Sequence, residues 1–191
     1  MTAVHSSHLV LGGARSGKSR YAVEQAAQSG RRVAFLATAR ALDGDMAARI
    51  ARHRADRPAR FTTVEEPQEI VAACRRAATA HDLILVDCVT VWVANLMERG
   101  DDDAAVLASA DDLAKLQRER VVSLVIVSNE VGEGVHPSTA LGRRYRDLLG
   151  SVNLRLAAGA DRVTLMVAGL PMIVKDEPPP PARPAPTHEA P

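Results

Sequence analysis

The stretch Gly12-Gly13-Ala14-Arg15-Ser16-Gly17-Lys18-Ser19 fits G-x-x-x-x-G-K-[ST] in full, and no other part of the chain constrains the fold as much. The apolar run His8-Leu9-Val10-Leu11 before it predicts a strand. Arg20 to Ser29, closed by Gly30, predicts a helix with Ala22, Val23, Ala26 and Ala27 on one side. Strand, glycine-rich loop and helix together form the setting in which such a loop holds phosphate. Gly12 and Gly17 allow backbone conformations that a Cβ would forbid, so successive N–H groups can turn inward around an anion. The helix start adds unpaired N–H groups and the positive end of its dipole. Lys18 supplies a mobile cation for the outer phosphates, and the Ser19 hydroxyl can ligate Mg²⁺. The stretch predicts a nucleoside triphosphate site.

A chain of 191 residues suits one domain. The near balance of 24 basic and 23 acidic residues gives no nucleic-acid or membrane surface, and aromatics at 3% offer no base-stacking platform. No apolar run is long enough to cross a bilayer, and Met1 to Ser7 lacks a signal peptide's apolar core, so a cytoplasmic location is expected. Cys74 and Cys88 have no metal-binding spacing and are expected to be reduced core thiols.

Further along, Arg32 to Thr38 predicts a second buried strand. Asp43 to about Arg54 predicts a helix with Met46, Ala47, Ile50 and His53 on one face. Phe61 to Val64 predicts a short strand ending in Glu65-Glu66. Pro67 fits the first position of a helix whose inward stripe is Ile70, Val71, Cys74 and Ala78. Asp82 to Asp87 is a buried strand ending in an acid. Helices are expected over Thr90 to Glu98, from the Asp101–Asp103 turn through Arg120, and from Ser138 to about Ala158. Strands are expected over Val121 to Val127 and, last, over Arg162 to Ala168. Residues 1–7 are expected to be a flexible start, residues 8–175 one domain, and the Pro-rich residues 176–191 a disordered tail.

Alternating strands and helices imply an α/β fold: a three-layer P-loop architecture around a mostly parallel sheet. Ligands of such sheets bind outside the carboxyl ends of the strands. That rule gathers the P-loop, Thr38, Glu65, Asp87, Asn129 and Gly169 at one edge. Asp87 ends Leu-Ile-Leu-Val-Asp, which suits an acid holding Mg²⁺ at the P-loop; a helix N-cap is the other reading. His53 is either a half-buried helix residue or a nucleophile for a nucleotide's α-phosphate. The nearby Arg52, Arg54, Arg57 and Arg60 would screen that polyanion, although arginines also make an ordinary solvated helix face. His136 lies in a glycine-flanked loop at the same edge. Glu65 and Glu66 suit either a helix cap or acceptance of hydrogen bonds from a ribose or guanine.

The motif series, in order, is Gly12–Ser19, Ala37-Thr38-Ala39, Met46–Ile50, His53-Arg54-Ala55-Asp56-Arg57-Pro58 and Thr63–Pro67. It continues with Val86–Thr90, Ser128–Gly132, Arg146-Asp147, Gly150–Asn153, Leu156–Ala158 and Ala160-Asp161. It resembles the bifunctional adenosylcobinamide kinase/adenosylcobinamide-phosphate guanylyltransferase family of cobalamin synthesis, from about Leu9 to Lys175. The resemblance implies a RecA-like P-loop fold and two reactions at one site. A nucleoside triphosphate, ATP or GTP, phosphorylates adenosylcobinamide. GTP then passes GMP through a guanylylated histidine to the phosphorylated corrinoid. Carried over by motif, His53 is the guanylylated nucleophile and Lys18 acts in the kinase step. Gly12, Gly13, Ala14, Arg15, Ser16, Gly17, Lys18, Ser19, Ala37, Thr38, Ala39, Arg54, Ala55, Asp56, Arg57, Glu65 and Asp87 are nucleotide contacts. Ser19 and Asp87 hold Mg²⁺. A corrinoid substrate and a homo-oligomer, a trimer, are also implied.

Leu154 and Arg162 depart from the family's usual Gln and acid, outside the nucleotide motifs. A P-loop small-molecule kinase in which His53 is structural, a nucleotidyltransferase without the kinase step, and a nucleotide-gated binding module remain the competing readings. His53 discriminates among them, because only nucleotidyl transfer needs a covalent intermediate.

Overall fold

In a computed structural model that describes residues 5–40, 54 and 57–177, five buried apolar runs and two largely exposed segments form seven strands. They are β1 (Ser7–Gly12), β2 (Val33–Ala37), β3 (Thr62–Glu65), β4 (Leu83–Asp87), β5 (Ser123–Val127), β6 (Arg162–Val167) and β7 (Leu170–Asp176). The helices among the described residues are α1 (Lys18–Gln28), α2 (Ile70–Ala77), α3 (Val89–Arg99), α4 (Asp103–Glu119) and α5 (Ala140–Gly159). The sheet order is β3-β2-β4-β5-β1-β6-β7, parallel except for the antiparallel β6–β7 pair. The three-layer, mostly parallel α/β fold expected from the sequence is present.

Strand side chains alternate between two cores, as the two-residue period requires. Leu9, Leu36, Ile84, Val86, Leu124 and Ile126 face α2 to α5 and pack with Ile70, Cys74, Trp92, Leu113 and Leu149. Val10, Val33, Phe35, Leu85, Val125 and Val127 face α1 and pack with Ala22 and Ala26. Each fully buried Leu, Ile or Phe stabilises the fold by about 1.5–3 kcal/mol. Trp92 is buried, and its indole N–H donates to the Gln68 carbonyl at 2.7 Å, so its one polar atom is satisfied.

Polar clamps fix the sheet ends. Asp161 accepts from Arg120 through both carboxylate oxygens and from the Ser7 N–H at 2.8 Å, which joins α4, β1 and β6. Arg32 is bidentate to Asp82, ahead of β2 and β4, and holds the Asp82 carboxyl down at about 2.

Three expectations need correction. Arg162 begins the sixth strand and not the last. β7 follows it through the two-residue turn Ala168-Gly169, whose residues have φ of 51° and 83°, the left-handed values that twist-compatible hairpins need. β7 exposes Leu170, Met172, Ile173 and Val174 on both faces, so it carries no alternating pattern. Asp176 therefore ends a strand, while residues 178–191 lie outside the described set. α2 starts at Ile70, with Pro67 ahead of it, because Glu69 takes the N-cap position. The helix expected from Asp43 falls outside the described residues apart from Arg54.

Candidate functional site

The loop after β1 turns at Gly12, where a Cβ would come within 2.5 Å of Ser16 Oγ and 2.8 Å of the Met166 carbonyl oxygen. No side chain fits there. Gly13, Ala14 and Arg15 are exposed, Ser16 is buried, and Gly17 caps α1 in the left-handed region at φ 90°. α1 begins at Lys18, so its first N–H groups and positive dipole end face the loop. Lys18 Nζ donates to the Gly13 carbonyl at 3.2 Å and so spans the loop.

Ser19 Oγ donates to Asp87 Oδ1 at 3.3 Å. Asp87 ends β4, two ladders from β1, because β5 lies between them. The N-cap position of α3 is taken by Cys88, without a side-chain cap bond, and the Asp87 carboxylate accepts from Ser19 in the loop. A hydroxyl beside a carboxylate at the mouth of a phosphate loop fits a hard cation that shares phosphate oxygens. Among the described residues no group of three His, Cys, Asp or Glu could hold a metal alone.

The carboxyl ends of β2 and β4 are knitted by Thr38. It is fully buried; its hydroxyl donates to the Cys88 carbonyl at 2.8 Å and accepts from the Cys88 N–H at 2.9 Å. Asn95 Nδ2 donates to the Thr38 and Pro67 carbonyls, both at 2.9 Å. Ala37 is buried and Ala39 half-buried beside it. Burial, with the Asp87 carboxylate second, pushes the Cys88 thiol up to about 11, so it stays protonated at neutral pH.

Of the two neighbouring glutamates, Glu66 takes the cap role. Glu66 accepts from the Gln68 and Glu69 N–H groups at 3.0 and 2.9 Å, at the entry to α2. Glu65, exposed at the end of β3, accepts from Arg54. Arg57 lies 3.6 Å over the Phe35 ring, reaches Thr63 Oγ1 at 3.3 Å, and buries its Nε without a partner among the described residues. Burial lowers its pKa, while the Asp87 charge pulls it the other way. His53, Ala55 and Asp56 lie outside the described residues.

Asn129 and Gly169 stand at this edge as the sequence placed them, and the structure adds their partners. Ser128 and Asn129 after β5 are held by Asn153, which accepts from Ser128 Oγ at 2.6 Å and donates to the Asn129 carbonyl at 2.9 Å. Asn129 N–H donates to Thr90 Oγ1 at 2.7 Å, and Glu130 N–H to the Gly12 carbonyl at 3.2 Å. The loop after β5 is therefore tied to the P-loop. On the other flank, the Gly169 N–H donates to the Ser16 carbonyl at 3.0 Å. His136 is exposed, with its Nδ1 2.8 Å from Arg146 Nη1.

The edge thus offers an anion cradle, a mobile cation and a hydroxyl–carboxylate pair, a set suited to phosphoryl chemistry. No described helix is long and apolar enough to cross a membrane.

The family described as cobinamide kinase / cobinamide phosphate guanyltransferase matches residues 8–174. The bifunctional adenosylcobalamin biosynthesis protein CobP of Pseudomonas aeruginosa is 47% identical over 170 residues, covering 89% of this chain and 98% of that protein. The proteins named CobU from Escherichia coli and Salmonella typhimurium are 38% and 40% identical, each over 87% of this chain and 98% of its own length. Among solved structures, the RadB recombinase overlays with a TM-score of 0.49 at 15% identity, over 85% of this chain and 74% of that one.

Proposed function

This chain belongs to the cobinamide kinase / cobinamide phosphate guanyltransferase family, and we propose that its two reactions use one nucleotide site at the P-loop edge. It is a bifunctional enzyme of cobalamin synthesis acting on nucleotides and a corrinoid. The observation that carries the site assignment is the convergence of Lys18, Ser19 and Asp87, with Ser19 Oγ 3.3 Å from Asp87 Oδ1.

In the kinase step the aminopropanol hydroxyl of adenosylcobinamide attacks the γ-phosphorus of ATP or GTP. The β–γ bridge breaks, the diphosphate leaves and the hydroxyl proton passes to solvent. The loop N–H groups from Gly13 to Ser19, the α1 dipole and Lys18 stabilise the charge that develops on the phosphoryl oxygens. Mg²⁺ belongs to the proposal: it would be held by Ser19 and Asp87 and would neutralise phosphate charge.

In the second step a neutral imidazole nitrogen of His53 bonds to the α-phosphorus of GTP as pyrophosphate leaves. A phosphate oxygen of adenosylcobinamide phosphate then displaces the histidine and gives adenosylcobinamide-GDP. By the family's motif, Arg54, Ala55, Asp56, Arg57, Glu65, Ala37 and Ala39 are the further GTP contacts. Thr38 acts by holding the chain at Asp87. Residues 8–175 form the catalytic domain, and the enzyme works in the cytoplasm. It does so as a homo-oligomer, a trimer, for which the apolar side chains of β7 supply adhesive surface; sedimentation of the full chain measures this.

Labelling with GTP radioactive at the α-phosphate tests the reading, beside a γ-labelled control and His53→Ala. The expected label comes from the α position only, survives alkali, is lost in acid and is absent from the variant. GTP binding without α-label would leave a kinase with a structural His53.

A further inference from the structure

We infer that the β6–β7 turn is a positioning element for the phosphate loop, with Gly169 setting the direction of the Gly17 N–H. The inference rests on the reading of Gly12–Ser19 as the nucleotide site and assigns a role to a hairpin outside the loop itself.

Three contacts carry it. The Gly169 N–H donates to the Ser16 carbonyl at 3.0 Å. A Cβ on Gly17 would stand 3.5 Å from the Gly169 Cα, so the turn lies within one side-chain atom of the loop. One residue before the end of β6, the Met166 carbonyl lies 2.8 Å from where a Gly12 Cβ would be. The hairpin therefore abuts the loop at both of its outer glycines.

A trans peptide is planar, and its C=O and N–H point in opposite directions. The bond from Gly169 draws the Ser16 carbonyl outward to the hairpin. The N–H of the same peptide, which belongs to Gly17, is thereby turned to the inner side of the loop, and no described residue accepts from it. Fixing a donor before an anion arrives removes the cost of reorienting it on binding.

The turn that delivers this hydrogen bond needs its own conformation. Ala168 and Gly169 both have positive φ, 51° and 83°, as a two-residue hairpin turn of this hand requires. A β-branched residue at 169 is incompatible with that value, although it meets little else: the nearest atom to a Cβ there is Arg20 Nη2 at 4.0 Å. Gly169→Val therefore moves the N–H off the Ser16 carbonyl by remaking the turn. Gly169→Asn, which tolerates the left-handed region, keeps it in place.

The experiment is calorimetric binding of GTP, GDP and GMP to the full chain as wild type, Gly169→Val and Gly169→Asn. A misdirected Gly17 N–H costs contact with the β-phosphate. Gly169→Val should bind GTP and GDP about tenfold more weakly, GMP unchanged, and Gly169→Asn should bind all three like the wild type. Unchanged GTP binding in Gly169→Val overturns the inference, and so does an equal loss for GMP. The amide resonance of Gly17 in the nucleotide-free protein gives a separate readout. It should shift in Gly169→Val and stay in Gly169→Asn, and an unshifted resonance overturns the inference even if the wild type binds no GTP. A wild type without GTP binding would overturn the nucleotide reading instead.

Discussion

At the scale of single residues, Thr38 shows how a buried hydroxyl serves a site that it need not touch. It donates to the Cys88 carbonyl and accepts from the Cys88 N–H, so it fixes the backbone next to Asp87. Thr38→Val keeps the volume and leaves two backbone groups unsatisfied, at a cost of about 1–3 kcal/mol. The urea midpoint should fall, and the Mg²⁺ concentration for half-maximal kinase activity should rise. Thr38→Ser should restore both. Sequence placed Thr38 at the sheet edge because it ends an apolar run. That its hydroxyl faces inward could not be seen, because both partners are backbone atoms 50 residues away. Gly12 was the opposite case. Its motif position demanded glycine, and the 2.5 Å approach of Ser16 Oγ supplies the physical reason.

At the scale of elements, the neighbouring acids before α2 separate stability from binding. Glu66 satisfies two N–H groups that no turn of helix precedes, so Glu66→Ala should cost about 1 kcal/mol in urea unfolding and leave the KM for GTP unchanged. Glu65→Ala should do the reverse, raising the KM for GTP about tenfold with little change in the midpoint, if Glu65 contacts the nucleotide as proposed. Equal effects from the two would refute this division. The strands of the central sheet were legible because burial on both faces writes continuous apolar runs, such as Leu83 to Val86. β7 was not, because a strand exposed on both faces and interrupted by Pro171 writes neither a run nor an alternation.

At the scale of the whole molecule, two features set how the fold answers acid and mutation. His8 is packed edge-on against Tyr21, shares a 2.8 Å hydrogen bond with Thr164 and lies near the Arg162–Asp176 pair. Burial first, and Arg162 second, lower its pKa from 6.5 to about 4. The unfolded chain thus holds more protons on this group between those values. The contribution is complete above about 6.5 and is lost as pH falls toward 4, up to roughly 2–3 kcal/mol. Unfolding in urea at pH 7 and pH 5 should show a smaller pH dependence in His8→Gln than in the wild type; identical slopes would remove His8 from the account. The Arg120–Asp161 pair, with side chains 25% and 12% exposed, ties three elements together. Arg120→Ala leaves a nearly buried carboxylate and should destabilise the chain by about 3 kcal/mol, with wild-type KM values at temperatures where it stays folded. Neither effect was legible from sequence, since each joins residues more than 40 positions apart.

The position of β1 also bears on how the protein emerges from the ribosome. The strand that carries the phosphate loop pairs Ser7 with Leu124 and His8 with Arg162, so both of its neighbours are translated long after it. β2, β3 and β4 can pair among themselves while β1 still lacks any ladder partner. Nascent chains ending before β5 should therefore be unable to retain a triphosphate, and that capacity should appear only once β6 has cleared the exit tunnel.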